Sequence, residues 1–494
     1  MKWHGRKLND VVAERVSKFE VQEGHKRPVT RRDFLAAGLI QGAACFAVPS
    51  LGSLLSREAR AADAIEAPPA YVEINCAGGA GFLGNVAMLD GSRNFLPSYN
   101  LCGQGSRAVA DRNIVTAFGN RVPMFKNAGL YRGLSQVLGG SMDVFEKSAW
   151  INLASSIGAD TGTNPMSAFG LVQGAIASGR YLPNLQTFAT FNMPAYVSPP
   201  SPIIVQGVDS ILDVVRPRGG DVIAQFQSGT QLSLLKHLKR INDSQITRYA
   251  TRTGGGDLKL AAQSAISKVT ELFKDPSLNF DPRKDPAFVP IWKSVWDGEV
   301  APELALVESG PEVANRSLSE STVIYALAKG YANTGGLYRT GYDYHGGARH
   351  ITDAQDAEIG KLIGRVLLSF KAVGRPVFIY LTTDGTCFAP ASDQGGNDWV
   401  GDSSVNTVNL IIAYHPSRGV TVTTRNGKPE TQVGSFTPGQ ISDQTHPVAS
   451  PRGSAAAAFV NYLKFAGIDP IASGRASVTT LASDQLRGLL AIEG

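Results

Sequence analysis

The spacing of apolar and polar positions changes period several times along the chain, and each change marks an element. Ile359, Leu362, Ile363, Val366, Leu367 and Phe370 fall at i, i+3, i+4, i+7, i+8 and i+11, which is one face of a helix. Thr352-Asp353-Ala354-Gln355 fits a capping box ahead of that face, and Gly374 fits its stop. Pro376–Leu381 then reads as a short apolar strand ending at Thr382-Thr383-Asp384, and Val408–Ala413 as another ending near His415. Tyr71–Ile74, Ala149–Leu153 and Ile203–Val205 read as further strands, and Ala455–Phe465 as a helix. Asp257, after three glycines, fits the cap of a helix running toward Lys274. Uncharged apolar strands alternating with amphipathic helices predict an α/β fold, with a mostly parallel sheet and helices on both faces. Sites in such a sheet form at the carboxyl ends of strands. Polar candidates gather at such ends, in 76–85, 154–164 and 343–350, at 384 and at 415. Residues 275–317, rich in Pro, Asp and Glu, predict an irregular excursion from the domain.

Charge separates the first sixty residues from the rest. The chain has 494 residues with 47 Lys+Arg against 42 Asp+Glu, a net of +5. Residues 1–61 hold eleven basic and six acidic side chains, and residues 62–494 hold 36 of each. The body is therefore neutral, with no electrostatic reason to seek nucleic acid. In the basic segment, Arg31-Arg32 precedes an uncharged stretch from Phe34 to Ser56, which closes at Ala59-Arg60-Ala61. Basic region, apolar region and small-residue site follow the order of a twin-arginine export signal. The expectation is recognition of Arg31 and Arg32 by the twin-arginine translocation machinery and delivery to the periplasm or medium. Cleavage after Ala61 would leave one domain, 62–494, with no stable membrane span; an uncleaved anchor is the alternative. Cys76, Cys102 and Cys387 stay in the mature chain, either with Cys76 paired to Cys102 or as buried thiols.

Candidate chemistry lies near the strand ends. Asp343 and His345, at i and i+2 before the capped helix, share a side in extended backbone and suit a divalent metal such as zinc. Asp384 ends the next strand, and Asp398 follows in the glycine-rich loop with Asp393 and Asp402. Ser167 stands where a helix begins, as a candidate nucleophile or simply as a cap. Gly79-Ala80-Gly81-Phe82-Leu83-Gly84 matches G-x-G-x-x-G, but Asp90-Gly91 and Pro97 interrupt the helix a dinucleotide would need, so a tight turn is the better reading.

The twin-arginine signal, Tyr342-Asp343-Tyr344-His345, the capped helix and the Val377–Asp384 strand resemble a family of exported proteins of unknown function within the alkaline phosphatase and sulfatase superfamily. The resemblance implies an alkaline phosphatase-like fold and a divalent-metal site for phosphate or sulfate esters. Asp343, His345, Asp384 and Asp398 would hold the metal, and Ser167 would attack. Four departures stand against two-metal chemistry. Gly81 replaces an expected Asp, Ala168 replaces His, Asp384-Gly385 replaces Glu-Phe-Gly-Arg, and Trp399 replaces His. They favour the alternative of a non-catalytic envelope or cell-surface binding protein with a degenerate metal site.

Overall fold

The structure is a computed structural model that describes residues 68–96, 114–117, 120–157, 164–176, 179, 182, 184–187, 202–215, 279–297, 316–345, 348–383, 385, 404–478 and 480–493. All of these belong to the unit Ser50–Gly494. The strands are β1 (Ala70–Cys76), the hairpin of β2 (Ile114–Ala117) and β3 (Asn120–Phe125), β4 (Ser148–Ile157), β5 (Asn184–Gln186), β6 (Ile203–Ile204), β7 (Thr334–Arg339), β8 (Val377–Thr383), β9 (Ser404–Tyr414), the short hairpin of β10 (Thr424–Arg425) and β11 (Lys428–Pro429), and β12 (Gln432–Val433). Eight of them form one sheet in the order β12-β4-β9-β8-β1-β7-β5-β6. β1 pairs in parallel with β7 and β8, β7 with β5, β5 with β6, and β12 with β4. Only β9 runs the other way, antiparallel to both β8 and β4. The sheet is mostly parallel, as the uncharged strand runs predict.

Both faces are covered. One side carries α1 (Gly129–Leu138), α2 (Met142–Glu146), α4 (Val208–Val215), α5 (Arg316–Ala328) and α6 (Arg349–Val373), and their apolar residues pack with Ala70, Val72, Ile74, Val377, Ile379 and Leu381. The other carries α3 (Phe169–Ala175), α7 (Pro451–Phe465), α8 (Pro470–Ser477) and α9 (Ser483–Gly488), packed on Tyr71, Phe378, Tyr380, Ile411 and Ala413. The period-two alternation of β1, β8 and β9 thus divides each strand between two cores. α7 brings a run of four buried alanines, Ala455–Ala458, against its face.

Two helices cross at backbone contact. A Cβ on Gly133 would lie 1.7 Å from Ala357 O, and one on Gly360 would lie 2.0 Å from Leu130 O, so only glycine lets α1 and α6 approach this closely. α6 begins three residues before the expected capping box. Thr352 lies inside the helix, where its hydroxyl donates to Arg349 O. Gly374 ends the helix at φ +70°, the left-handed conformation that glycine adopts without strain. α7 starts at Pro451 behind Ser450, whose hydroxyl accepts from Gly453 N. The 275–317 stretch is docked where it is described: Phe288 and Trp296 are buried, and Trp296 Nε1 donates to Ser369 Oγ at 3.0 Å on α6. The helix expected at 257–274 lies outside the described residues.

Candidate functional site

Three strand-end segments meet at the carboxyl edge of the sheet. β1 runs out through Ala77, Gly78 and Gly79, the glycines at φ +116° and +93°. A Cβ on Gly78 would also sit 2.7 Å from Asp343 N, so the turn needs glycine for both conformation and space. Ala77 N donates to Arg339 O and Tyr342 N to Ala77 O, which ties the turn to the segment after β7. On the other side, Ala80 N donates to the Thr383 hydroxyl at the end of β8, 3.0 Å away. The Gly79–Gly84 run is a tight turn leading into a 3-10 turn, Phe82–Asn85, and opens no long helix.

The segment after β7 alternates. Tyr342 and Tyr344 are buried, while Asp343 and His345 are exposed. The Asp343 carboxylate accepts from its own segment, from His345 N at 2.9 Å, as in an Asx turn. Asp384 and Asp398 lie outside the described residues. The strands on either side nonetheless fix both ends of their connection. β8 ends where Thr383 pairs with Cys76, and β9 begins where Ser404 pairs with Ile157, both at this edge. Among the described residues, no three His, Cys, Asp or Glu side chains are grouped to hold a metal ion. His415 is not at this edge. Because β9 is antiparallel, its last residue, Tyr414, pairs with Val377 and Ser148 at the opposite end of the sheet. There His415 Nδ1 accepts from Ser417 N at 3.3 Å. Cys76 is buried, and Cys102 and Cys387 lie outside the described residues.

Ser167 lies under the α7 side of the sheet and is buried. Its hydroxyl donates to Glu73 Oε1 at 2.5 Å, and its oxygen accepts from Phe169 N at 3.3 Å. The other Glu73 oxygen accepts from Tyr71 OH at 2.7 Å and from Ala168 N at 3.1 Å. A carboxylate on a central strand therefore closes the first turn of α3, whose leading amides have no partner inside the helix. Burial pushes the Glu73 carboxyl up to about 7, although the donors from Ser167, Tyr71 and Ala168 pull it down. Glu73 escaped notice in the sequence because it sits inside an apolar strand run. Its signal was there: it is the one charged residue of Ala-Tyr-Val-Glu-Ile-Asn-Cys, and a carboxylate in a strand covered on both faces must find donors.

The opposite face holds a different arrangement. Arg339 ends β7 and is buried against Glu320 of α5, with contacts of 2.8 and 3.0 Å. Arg316 is buried nearby, and desolvation beside Arg339 lowers its guanidinium to about 10. Asp356 of α6, fully buried, accepts from Tyr344 OH at 2.6 Å and Asn85 Nδ2 at 2.8 Å. Burial raises its carboxyl to about 7. Asn85 Oδ1 in turn accepts from Leu130 N, and Asp353 Oδ1 from Gly129 N, so both cap α1. Comparison with protein-family models, curated proteins and solved structures finds no match.

Proposed function

We propose that the chain is an exported α/β protein of alkaline phosphatase-like architecture, whose carboxyl edge holds a divalent metal and takes a phosphate or sulfate ester. The observation that carries this reading is the junction of three strand ends: Gly78 seated on Asp343, Ala80 bonded to Thr383, and Asp343 and His345 exposed beside them. Asp343 and His345 would supply ligands, and Asp384 and Asp398, on the connection that starts and ends at this edge, would complete the set. Elemental analysis of the purified protein tests it. The expected result is one zinc-like ion per chain, lost in Asp343→Ala with His345→Ala, and hydrolysis of aryl phosphate or aryl sulfate by the wild type. A metal-free protein inert on both esters overturns it.

A second reading has its own support. The Ser167 hydroxyl is buried and already donates to Glu73, which suits a structural cap better than an attacking oxygen. On this reading the protein keeps the fold and binds without catalysis at the envelope or cell surface. The double substitution would then leave its biological activity intact, and loss of that activity counts against the reading.

A further inference from the structure

Beyond Glu73, the same face of the sheet turns polar. Asn75 and Thr382 are paired across β1 and β8. Asn409 lies one step past the Leu381–Leu410 pair on β9, and Thr407 faces Ser155 of β4. The turn before α3 closes over this row. Asn409 Nδ2 reaches Met166 Sδ at 3.0 Å, Tyr380 OH donates to Met166 O at 3.1 Å, and Met166 N donates to Asn164 Oδ1 at 3.0 Å. Ser454 of α7 meets both Ser155 and Asn409.

Among the described residues, four polar atoms in this patch have no hydrogen-bond partner: Asn75 Oδ1, Asn164 Nδ2, Thr407 Oγ1 and Asn409 Oδ1. Their residues are each at most 2 % exposed. A buried polar group left unpaired is costly, and four in one patch do not arise from apolar packing. Apart from Glu73, whose oxygens already take their donors, the described residues of the patch bring no charge.

We infer that these four groups face an internal site for a small neutral polyhydroxy molecule, of the glycerol or sugar-alcohol class. Asn164 Oδ1 is fixed by Met166 N, which leaves Asn164 Nδ2 as a donor, while Asn75 Oδ1 and Asn409 Oδ1 are acceptors and the Thr407 hydroxyl can act as either. A hydroxyl both donates and accepts, and meets both kinds. Asn75 and Asn409 stand two strands apart, ~10 Å between backbones, which leaves a span over Thr382 suited to a few heavy atoms.

Calorimetric titration of the purified protein with glycerol, erythritol, myo-inositol and sorbitol tests the inference. One of the four is expected to bind saturably at one per chain. Asn75→Leu and Thr407→Val, each folded by circular dichroism, are expected to weaken it at least tenfold. A crystal structure of the wild-type protein soaked with that polyol gives a readout independent of the variants, with the molecule bonded to the four groups. Absence of saturable binding, binding unchanged in both variants, or the patch closed by ordered water only in the soaked crystals overturns it.

Discussion

Glu73 and Glu320 are buried carboxylates on opposite faces of one sheet, and they are held in opposite ways. Glu320 meets the guanidinium of Arg339. Among the described residues, Glu73 meets neutral donors, from Tyr71, Ser167 and Ala168. With neutral donors alone, burial dominates at Glu73 and its proton stays on to about 7. Asp356 repeats the Glu73 arrangement on the other face. It lies on the Glu320 side, has Tyr344 and Asn85 for donors, and is likewise raised to about 7.

The sharpest way to break this contrast is to remove the cation. Arg339→Ala removes the guanidinium bonded to Glu320, although Arg316 and Arg365 still act on it, and should cost about 3–5 kcal/mol in urea unfolding at neutral pH. A cost under about 1 kcal/mol would mean the pair is not shielded from water.

Next in size is the response to pH. Folded Glu73 keeps its proton up to about 7, while its ordinary value is 4.5. Between those two values the folded state binds more protons than the unfolded one, so stability falls as pH rises and is flat above the upper value. At about 1.4 kcal/mol per unit, the Glu73 contribution lost across this window is roughly 3 kcal/mol. Asp356 adds a loss of the same sign from 3.8 upward. Glu73→Gln should flatten part of the slope, read from unfolding midpoints in buffers spanning the window, and an unchanged slope would remove Glu73 from the account.

Smaller again is Asn85→Ala, which uncaps α1 at Leu130 and takes a donor from Asp356. A loss of about 1–2 kcal/mol in chemical unfolding is expected. Ser167→Ala is the mildest. It removes one donor from Glu73 and should cost about 1 kcal/mol while moving the titration of Glu73 upward, as an acid-titration monitor would record.

Several parts of the fold were legible because one period dominated the sequence. β1, β4, β8 and β9 are apolar runs, and the face of α6 is a clean helical repeat ended by Gly374. β7 was hidden. It reads Thr-Gly-Gly-Leu-Tyr-Arg, and its glycines look like a turn. Gly335 is there because Leu327 of α5 presses on the strand, where a Cβ would stand 2.5 Å from its Cδ1. α5 was hidden for the reverse reason: Ser319, Glu320, Ser321 and Thr322 are buried with the apolar residues, so no polar face marks its register. The sense of β9 was also illegible, since an apolar run carries no direction, and His415 was drawn to the wrong end of the sheet. At the site, Asp343 and His345 stood out as a local pattern. Glu73 and Ser167, 94 residues apart, meet only through the packing of α3 on β1.

The position of β1 also governs when the molecule can assemble. It comes first among the sheet strands, yet both its neighbours, β7 and β8, lie roughly 260 to 310 residues further along the chain. A ribosome-bound chain must hold this strand unpaired until most of its length has emerged, so the centre of the sheet closes late.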